Sequence, residues 1–189
     1  MAAPMEVEPF QLSATLIGHE DDVRSVGALG EHVVTGSRDR SVRVWRPLEA
    51  GGAHAYECAS ALLGHTHFVG AVASTPDGAL ASGSNDKHVI VWDVDGGRPA
   101  HVLEGHTDVV SCVRAGKASG LLFSASWDKT ARVWKGAECV RTLTGHAAAV
   151  WSVLPLDDAD DGALTASADH TIKRWSAGEC AHTYSGHTD

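Results

Sequence analysis

Basic residues are in the minority: 15 Lys and Arg stand against 24 Asp and Glu, a formal charge of -9. Most of such a surface repels a phosphate backbone, so nucleic acid is not an expected partner. Nowhere do 18 apolar residues run together, and the N-terminal MAAPMEVEPF has neither a basic n-region nor an apolar h-region. A soluble, non-secreted protein with no membrane partner is expected. Only four cysteines occur, Cys58, Cys112, Cys139 and Cys180, and they form no C-x-x-C. That spacing suits reduced thiols in an intracellular compartment better than disulfides or a zinc site. Helical patterning is almost absent. Aromatics make up only 6% of the chain, yet Trp supplies six of them against two Tyr and three Phe, a bias that asks for a positional explanation. Against these scarcities, 43% of the 189 residues are hydrophobic, enough for the core of one domain or two.

Repetition supplies the explanation. Gly-His pairs occur at Gly18-His19, Gly64-His65, Gly105-His106, Gly145-His146 and Gly186-His187, so successive histidines lie 46, 41, 40 and 41 residues apart. Each repeat then carries TGSRDRSVRVW, SGSNDKHVIVW, SASWDKTARVW or TASADHTIKRW. Asp39, Asp86, Asp128 and Asp169 each precede a Trp (Trp45, Trp92, Trp134, Trp175) by six residues, whereas the His-to-Asp distance grows from 20 to 23. A turn of variable length before the Asp and a tight turn of fixed length after it account for both observations.

The segments between these marks are short, rich in Val, Leu, Thr and Trp, and bounded by Gly, Asp and Pro, which reads as strands. Each unit supplies about four. The first strands are expected at Val23 to Leu29, Val69 to Ser74, Val109 to Ala115 and Val150 to Leu154, and Leu12 to Ile17 as the fourth strand of a further blade. The stretch 46 to 57 is an insertion that reads as a surface loop. Four-stranded units of this period with Gly-His and Trp marks resemble WD-repeat β-propellers, although only Trp92-Asp93 keeps the Trp-Asp dipeptide. The expected fold is all-β: a propeller of four full blades plus one leading strand, in an incomplete, open ring. Its expected organisation is a short tail (1 to 11) and a partial propeller (12 to 189), with repeats starting near Gly18, Gly64, Gly105 and Gly145 and a further one at Gly186.

A His, a hydroxyl, an Asp and a Trp recurring in every unit imitate a catalytic triad or a metal site. Chemistry needs one convergent cluster, however, and these are four equivalent sets. The WD-repeat resemblance implies a buried hydrogen-bonded chain in each blade: His19, Thr35, Asp39 and Trp45; His65, Ser82, Asp86 and Trp92; His106, Ser124, Asp128 and Trp134; His146, Thr165, Asp169 and Trp175. Their donors and acceptors can satisfy one another where water is excluded. The sequence leaves open whether the hydroxyl is the one named or the Ser two residues before each Asp (Ser37, Ser84, Ser126, Ser167). Other motifs fail. No Ser is flanked as in a nucleophile elbow, and Gly116-Lys117 lacks the rest of a phosphate loop. The acidic run 157 to 161 lacks the alternating ligands of a calcium loop and reads as a solvated hairpin. No enzyme, cofactor or metal is expected.

Trp127 and Trp151 lie outside the repeat pattern, one before Asp128 and one just beyond a Gly-His loop. Both positions open on the propeller face formed by the Gly-His loops and Asp turns, where WD-repeat proteins commonly bind partners. Equivalent positions hold Asp22, Arg24, Arg38, Phe68, Gly70, Asn85, Val109, Ser111, Ala149 and Ala168, so the patch combines aromatic anchors with Arg, a composition enriched at interfaces. The alternative is that either indole packs between blades.

The stretches GHEDDVRSV, SRDRSVRVW, GHTHFVGAV, GKASGLLFSASWDKTARVW, TLTGHAAAVWSV and ADHTIKRWSAGECAHTYSGHTD look like the N-terminal propeller of the phospholipase A-2-activating protein family, a group of ubiquitin-binding adaptors of an AAA-type segregase. That resemblance implies a non-catalytic, ubiquitin-binding module of ubiquitin-dependent protein catabolism, in the cytoplasm and nucleus. It assigns segregase docking to other domains of the family, outside these 189 residues. A generic WD-repeat scaffold using the same face for another protein or peptide is the competing expectation. With one leading strand, four units and a trailing GHTD, the chain is expected to be a fragment of a larger propeller.

Overall fold

The computed structural model describes residues 14–48, 55–117, 119–156 and 162–188. Among them there are sixteen strands and no helix. The first blade is β1 (Val23–Leu29), β2 (His32–Ser37), β3 (Ser41–Pro47) and β4 (Tyr56–Leu63). The second is β5 (Val69–Ser74), β6 (Leu80–Ser84), β7 (Val89–Asp93) and β8 (Arg98–Leu103). The third is β9 (Val110–Ala115), β10 (Leu122–Ser126), β11 (Thr130–Lys135) and β12 (Glu138–Thr144). The fourth is β13 (Val150–Pro155), β14 (Ala163–Ser167), β15 (Thr171–Ser176) and β16 (Glu179–Ser185). Each blade is a separate antiparallel meander in chain order, and no sheet closes on another. The inner strands β1, β5, β9 and β13 adjoin in sequence, so the blades fan out as an open arc.

Three expectations change. The third first strand begins at Val110, leaving Val109 in the turn before it. The leading strand expected over Leu12 to Ile17 is not formed in its described part, since residues 14–17 belong to no strand. A fourth strand needs a third strand beside it, and all four sheets already have their full complement. The insertion loop expected over 46 to 57 is shorter, because Arg46 and Pro47 extend β3 and Tyr56 and Glu57 open β4, paired with each other across the ladder; its middle (49–54), Leu12, Ser13, the tail 1–11 and the acidic run 157–161 lie outside the described residues.

The constant six-residue spacing from Asp to Trp has a local cause. In each β2–β3-type turn the residue after the Asp takes a left-handed conformation: Arg40 (φ 70°), Lys87 (76°), Lys129 (73°) and His170 (66°). A non-glycine residue incurs a steric cost there. The Asp offsets it by accepting the backbone N–H two residues on, from Ser41, His88, Thr130 and Thr171, at 2.9–3.0 Å. A turn of this geometry admits no length change.

Every interface between blades joins the same two faces. A forward face packs on the rear face of the next blade. Val34, Val42, Val44 and Leu62 meet Val69, Val72, Leu80, Ile90 and Trp92. Ala81, Val89 and Leu103 meet Val110, Val113, Leu122 and Trp134. Phe123, Ala131, Val133 and Leu143 meet Val150, Val153, Ala163 and Trp175. Complete burial of one such Val, Leu or Phe side chain stabilises by about 1.5–3 kcal/mol, so these contacts hold the arc together. Closeness is set by a small residue on each second strand. A Cβ on Gly83 would lie 2.6 Å from Val110 and 2.7 Å from Val113. Gly83→Ala is therefore expected to lower stability by about 1–3 kcal/mol through overpacking. Gly70→Ala, whose added Cβ meets nothing within 4 Å, is expected to leave it nearly unchanged. Chemical denaturation of the two variants checks the contrast.

Candidate interaction surface

The four His, hydroxyl, Asp and Trp sets repeat one geometry. The indole N–H of Trp45, Trp92, Trp134 and Trp175 donates to the hydroxyl of Thr35, Ser82, Ser124 and Thr165 at 2.7–2.8 Å. The same hydroxyl lies 2.7–2.8 Å from Nε2 of His19, His65, His106 and His146. Nδ1 of each imidazole lies 2.7–2.8 Å from Oδ2 of Asp39, Asp86, Asp128 and Asp169. An indole can only donate and an ionised carboxylate can only accept. With a neutral imidazole the proton order follows: indole to hydroxyl, hydroxyl to Nε2, and Nδ1–H to carboxylate.

The geometry decides which hydroxyl joins the chain, and the Ser two residues before each Asp has a different task. Ser37, Ser84, Ser126 and Ser167 accept the N–H of the Asp at 3.1 Å and donate to a carbonyl of the Gly-His loop at 3.1 Å. A further hydroxyl carries no mark in the sequence. Ser41, Thr130 and Thr171, two residues after the Asp, donate to its Oδ1 at 2.6 Å. In the second blade His88 stands there and gives only its backbone N–H, and its buried Nδ1 has no hydrogen-bond partner.

This difference marks the carboxylates. Burial pushes Asp86 toward protonation, but bonds from His65 and from the backbone of Thr66 and His88 outweigh it and hold the group down at about 2. Burial likewise opposes ionisation of Asp39, Asp128 and Asp169, yet their hydrogen bonds, hydroxyls included, take them lower still. A carboxylate whose folded value is depressed contributes stability that is complete above its ordinary value, 3.8, and lost as pH falls through the folded one.

The same loops build the rim. In every blade the residue before the Asp donates its backbone N–H to the carbonyl of the residue just before the first strand: Arg38 to Asp22, Asn85 to Phe68, Trp127 to Val109 and Ala168 to Ala149, at 2.9–3.0 Å. The clamp uses backbone alone, so those side chains are free to differ. Arg38, Phe68, Asn85, Val109 and Trp127 line an open groove of about 440 Å³ together with Arg24, Gly70, Val110, Ser111 and Trp151; Asp22 lies outside the lining and reaches it only through its ion pair with Arg38. Trp127 and Trp151 meet edge to face with centroids 5.2 Å apart and remain 41% and 50% exposed. Neither indole is packed away between blades. Arg38 lies over the Phe68 ring at 4.6 Å and pairs with Asp22 at 3.0 Å, a preorganised cation. Ala149 lies outside the groove lining, and Ala168 instead borders a second hollow of about 460 Å³ on the other side of Trp151. The Ser111 hydroxyl already bonds the carbonyls of Ala125 (3.1 Å) and Val150 (2.6 Å), tying the third blade to the fourth. Val110 joins the lining unforeseen. Among the described residues no group of three or more His, Cys, Asp or Glu is placed to hold a metal ion.

A sequence profile described as "WD domain, G-beta repeat" matches residues 10–46, 56–93, 97–135 and 137–176, most of the chain. The chain belongs to the WD-repeat family. Its arc is similar to the crystal structure of the WD40 β-propeller domain of Doa1, with a TM-score of 0.85 and 34% identity, over 95% of this chain and 60% of that one. Among curated WD-repeat relatives it is 40% identical over 154 residues to the phospholipase A-2-activating protein of Xenopus laevis, covering 76% of this chain and 19% of that protein. It is 32% identical over 187 residues to the ubiquitin homeostasis protein lub1 of Schizosaccharomyces pombe, covering 82% of this chain and 26% of that protein. The chain thus spans only a minor part of these relatives.

Two outcomes test the site chemistry. Asp128→Ala strands the Nδ1–H of His106 and the donors of Thr107 and Thr130, so it is expected to cost about 1–3 kcal/mol. Exposed Asp95→Ala is expected to cost little, as read from thermal or urea midpoints. His88→Thr restores the missing hydroxyl donor and is expected to lower the Asp86 titration further, with acid unfolding of the second blade shifted to lower pH, as followed by carboxyl NMR.

Proposed function

We propose that the chain is a non-catalytic module that binds ubiquitin through the groove centred on Trp127 and Trp151, in ubiquitin-dependent protein turnover. The observation that carries this reading is the exposed edge-to-face indole pair, held at rim positions whose side chains the backbone clamp does not use. Desolvating such an anchor against an apolar patch of a partner is the usual source of a binding hot spot. Arg24, Arg38 and Asp22 form the polar border, where charge acts chiefly on association rate and salt dependence. The similarity to lub1, whose name places it in ubiquitin homeostasis, and to the phospholipase A-2-activating protein supports ubiquitin as the partner. A non-catalytic role accords with the state of the histidines. Each ring is almost wholly buried with both nitrogens engaged in the same way four times over, so none is distinguished as an acid or base. A generic scaffold binding another protein on the same face would use the same groove.

Titration of labelled ubiquitin separates these readings. Trp127→Ala and Trp151→Ala are each expected to weaken binding by about 2 kcal/mol, roughly thirtyfold, with unchanged thermal unfolding. Undiminished binding by the folded double variant would place the ubiquitin site elsewhere. Equal affinity for unrelated acidic or basic peptides would favour the generic scaffold.

A further inference from the structure

Four residues interrupt the ladders near the start of the inner strands. Arg24, Gly70, Ser111 and Trp151 are each skipped where the register between the first and second strands of a blade shifts. A bulge of this kind re-aims its side chain, and all four residues line the groove. Gly70 therefore leaves a gap in the row, between a guanidinium and a hydroxyl.

Nothing in the fold asks for glycine at that position. Glycine is needed where φ is positive or where another group comes too close for a Cβ. Gly30 and Gly78 have positive φ, and at Gly36 and Gly83 a Cβ would lie 2.8 and 2.6 Å from a valine of the next blade. Gly70 has neither property: its φ is not positive, and a Cβ there meets nothing within 4 Å. What the missing side chain provides is open space in the groove.

The chemistry around that space is one-sided. The chain carries a net charge of -9, yet the groove lining contains Arg24, Arg38 and the amide of Asn85 and no Asp or Glu. The Arg38 guanidinium is held over Phe68 at 4.6 Å and by Asp22, so it has little rotamer freedom left to lose on binding. Fixed guanidinium donors suit a carboxylate.

We propose that the space over Gly70 is a slot for one Asp or Glu side chain of ubiquitin, whose apolar neighbours cover the Trp127–Trp151 pair. The assignment rests on the groove being the ubiquitin site and adds an orientation to it: apolar contact at the third and fourth blades, carboxylate at the first and second. Gly70 is then a specificity-determining residue, since a larger side chain there fills the slot without disturbing the fold. A carboxylate enclosed beside guanidiniums also slows dissociation, beyond the steering that border charges supply.

Titration of labelled ubiquitin against the full chain tests the slot, with thermal unfolding of each variant as the control. Gly70→Leu is expected to unfold as the wild type does and to bind at least about tenfold more weakly, with Gly70→Ala in between. Arg24→Gln is expected to lose about tenfold, mostly through faster dissociation. Ubiquitin variants with each exposed carboxylate exchanged singly for its amide identify the partner group. One of them is expected to lose about tenfold on the wild-type chain and nothing further on Arg24→Gln. Undiminished binding by Gly70→Leu, or no weakening by any ubiquitin variant, would overturn the slot, while weakened binding by Trp127→Ala and Trp151→Ala would leave the groove reading standing. A Gly70→Leu chain that unfolds earlier would show the glycine to be structural and overturn the slot as well. Undiminished binding by the folded double tryptophan variant would instead remove ubiquitin from the groove, and the slot with it.

Discussion

Each blade depends on one carboxylate. Asp39, Asp86, Asp128 and Asp169 sit at a turn whose next residue is forced into a left-handed conformation, and they hold that turn by accepting a backbone donor and, in all but Asp86, a hydroxyl donor on Oδ1. Their other oxygen takes the imidazole and the backbone N–H that follows it, at Glu20, Thr66, Thr107 and Ala147. Through the histidine the same group reaches a hydroxyl on the second strand and an indole on the third. Three strands and the entering loop are thereby tied to one buried, fully used charge. The arrangement stays favourable only while every donor is present, because a half-satisfied buried network costs more than an apolar one.

That constraint also explains why the rim can carry function. The loop and turn are fixed by groups that point inward, and the clamp between them is backbone to backbone. The outward side chains are then released from structural duty. Asp22 with Arg38, Phe68 with Asn85, Val109 with Trp127, and Ala149 with Ala168 occupy equivalent sites with unrelated chemistry. A groove with an apolar centre at the third and fourth blades and a charged border at the first results from four copies of one geometry. Small residues at Ala149 and Ala168 leave Trp151 standing clear between two hollows.

Packing between blades obeys a different rule from packing within them. Within a blade, polar groups are paired one to one; between blades, apolar faces meet through valine, leucine and tryptophan with a glycine or alanine setting the separation. An interface of this type has a direction, forward face to rear face, and a finite arc necessarily presents one of each. Exposure of Val23, Val26, Leu154 and Tyr184 is the consequence of that direction rather than of any local departure in sequence.

The repeat and the strand content were legible in the sequence because each rests on short-range spacing, six residues from Asp to Trp and a Gly-His at each start, whereas the bonding of the four polar sets was implied by the WD-repeat resemblance. The positions of Trp127 and Trp151 on one rim were legible for the same reason, since a repeat converts a sequence offset into a place in space. Other features depend on who lies opposite. Thr35 and Ser37 share a strand face, and only the position of the Trp45 indole separates the network hydroxyl from the one that braces the loop. The strand expected before Gly18 is not formed over its described residues, 14–17, because a strand exists by virtue of its neighbour, which no stretch of sequence carries within itself. His88 looks in sequence like one more variable residue, yet its placement beside Asp86 makes that carboxylate the least depressed of the four. Sequence by itself determined the blades and their number, since those are local periodicities; tertiary structure alone decided which hydroxyls are consumed, which indoles meet and which faces stay open, because these follow from contacts between residues far apart in the chain.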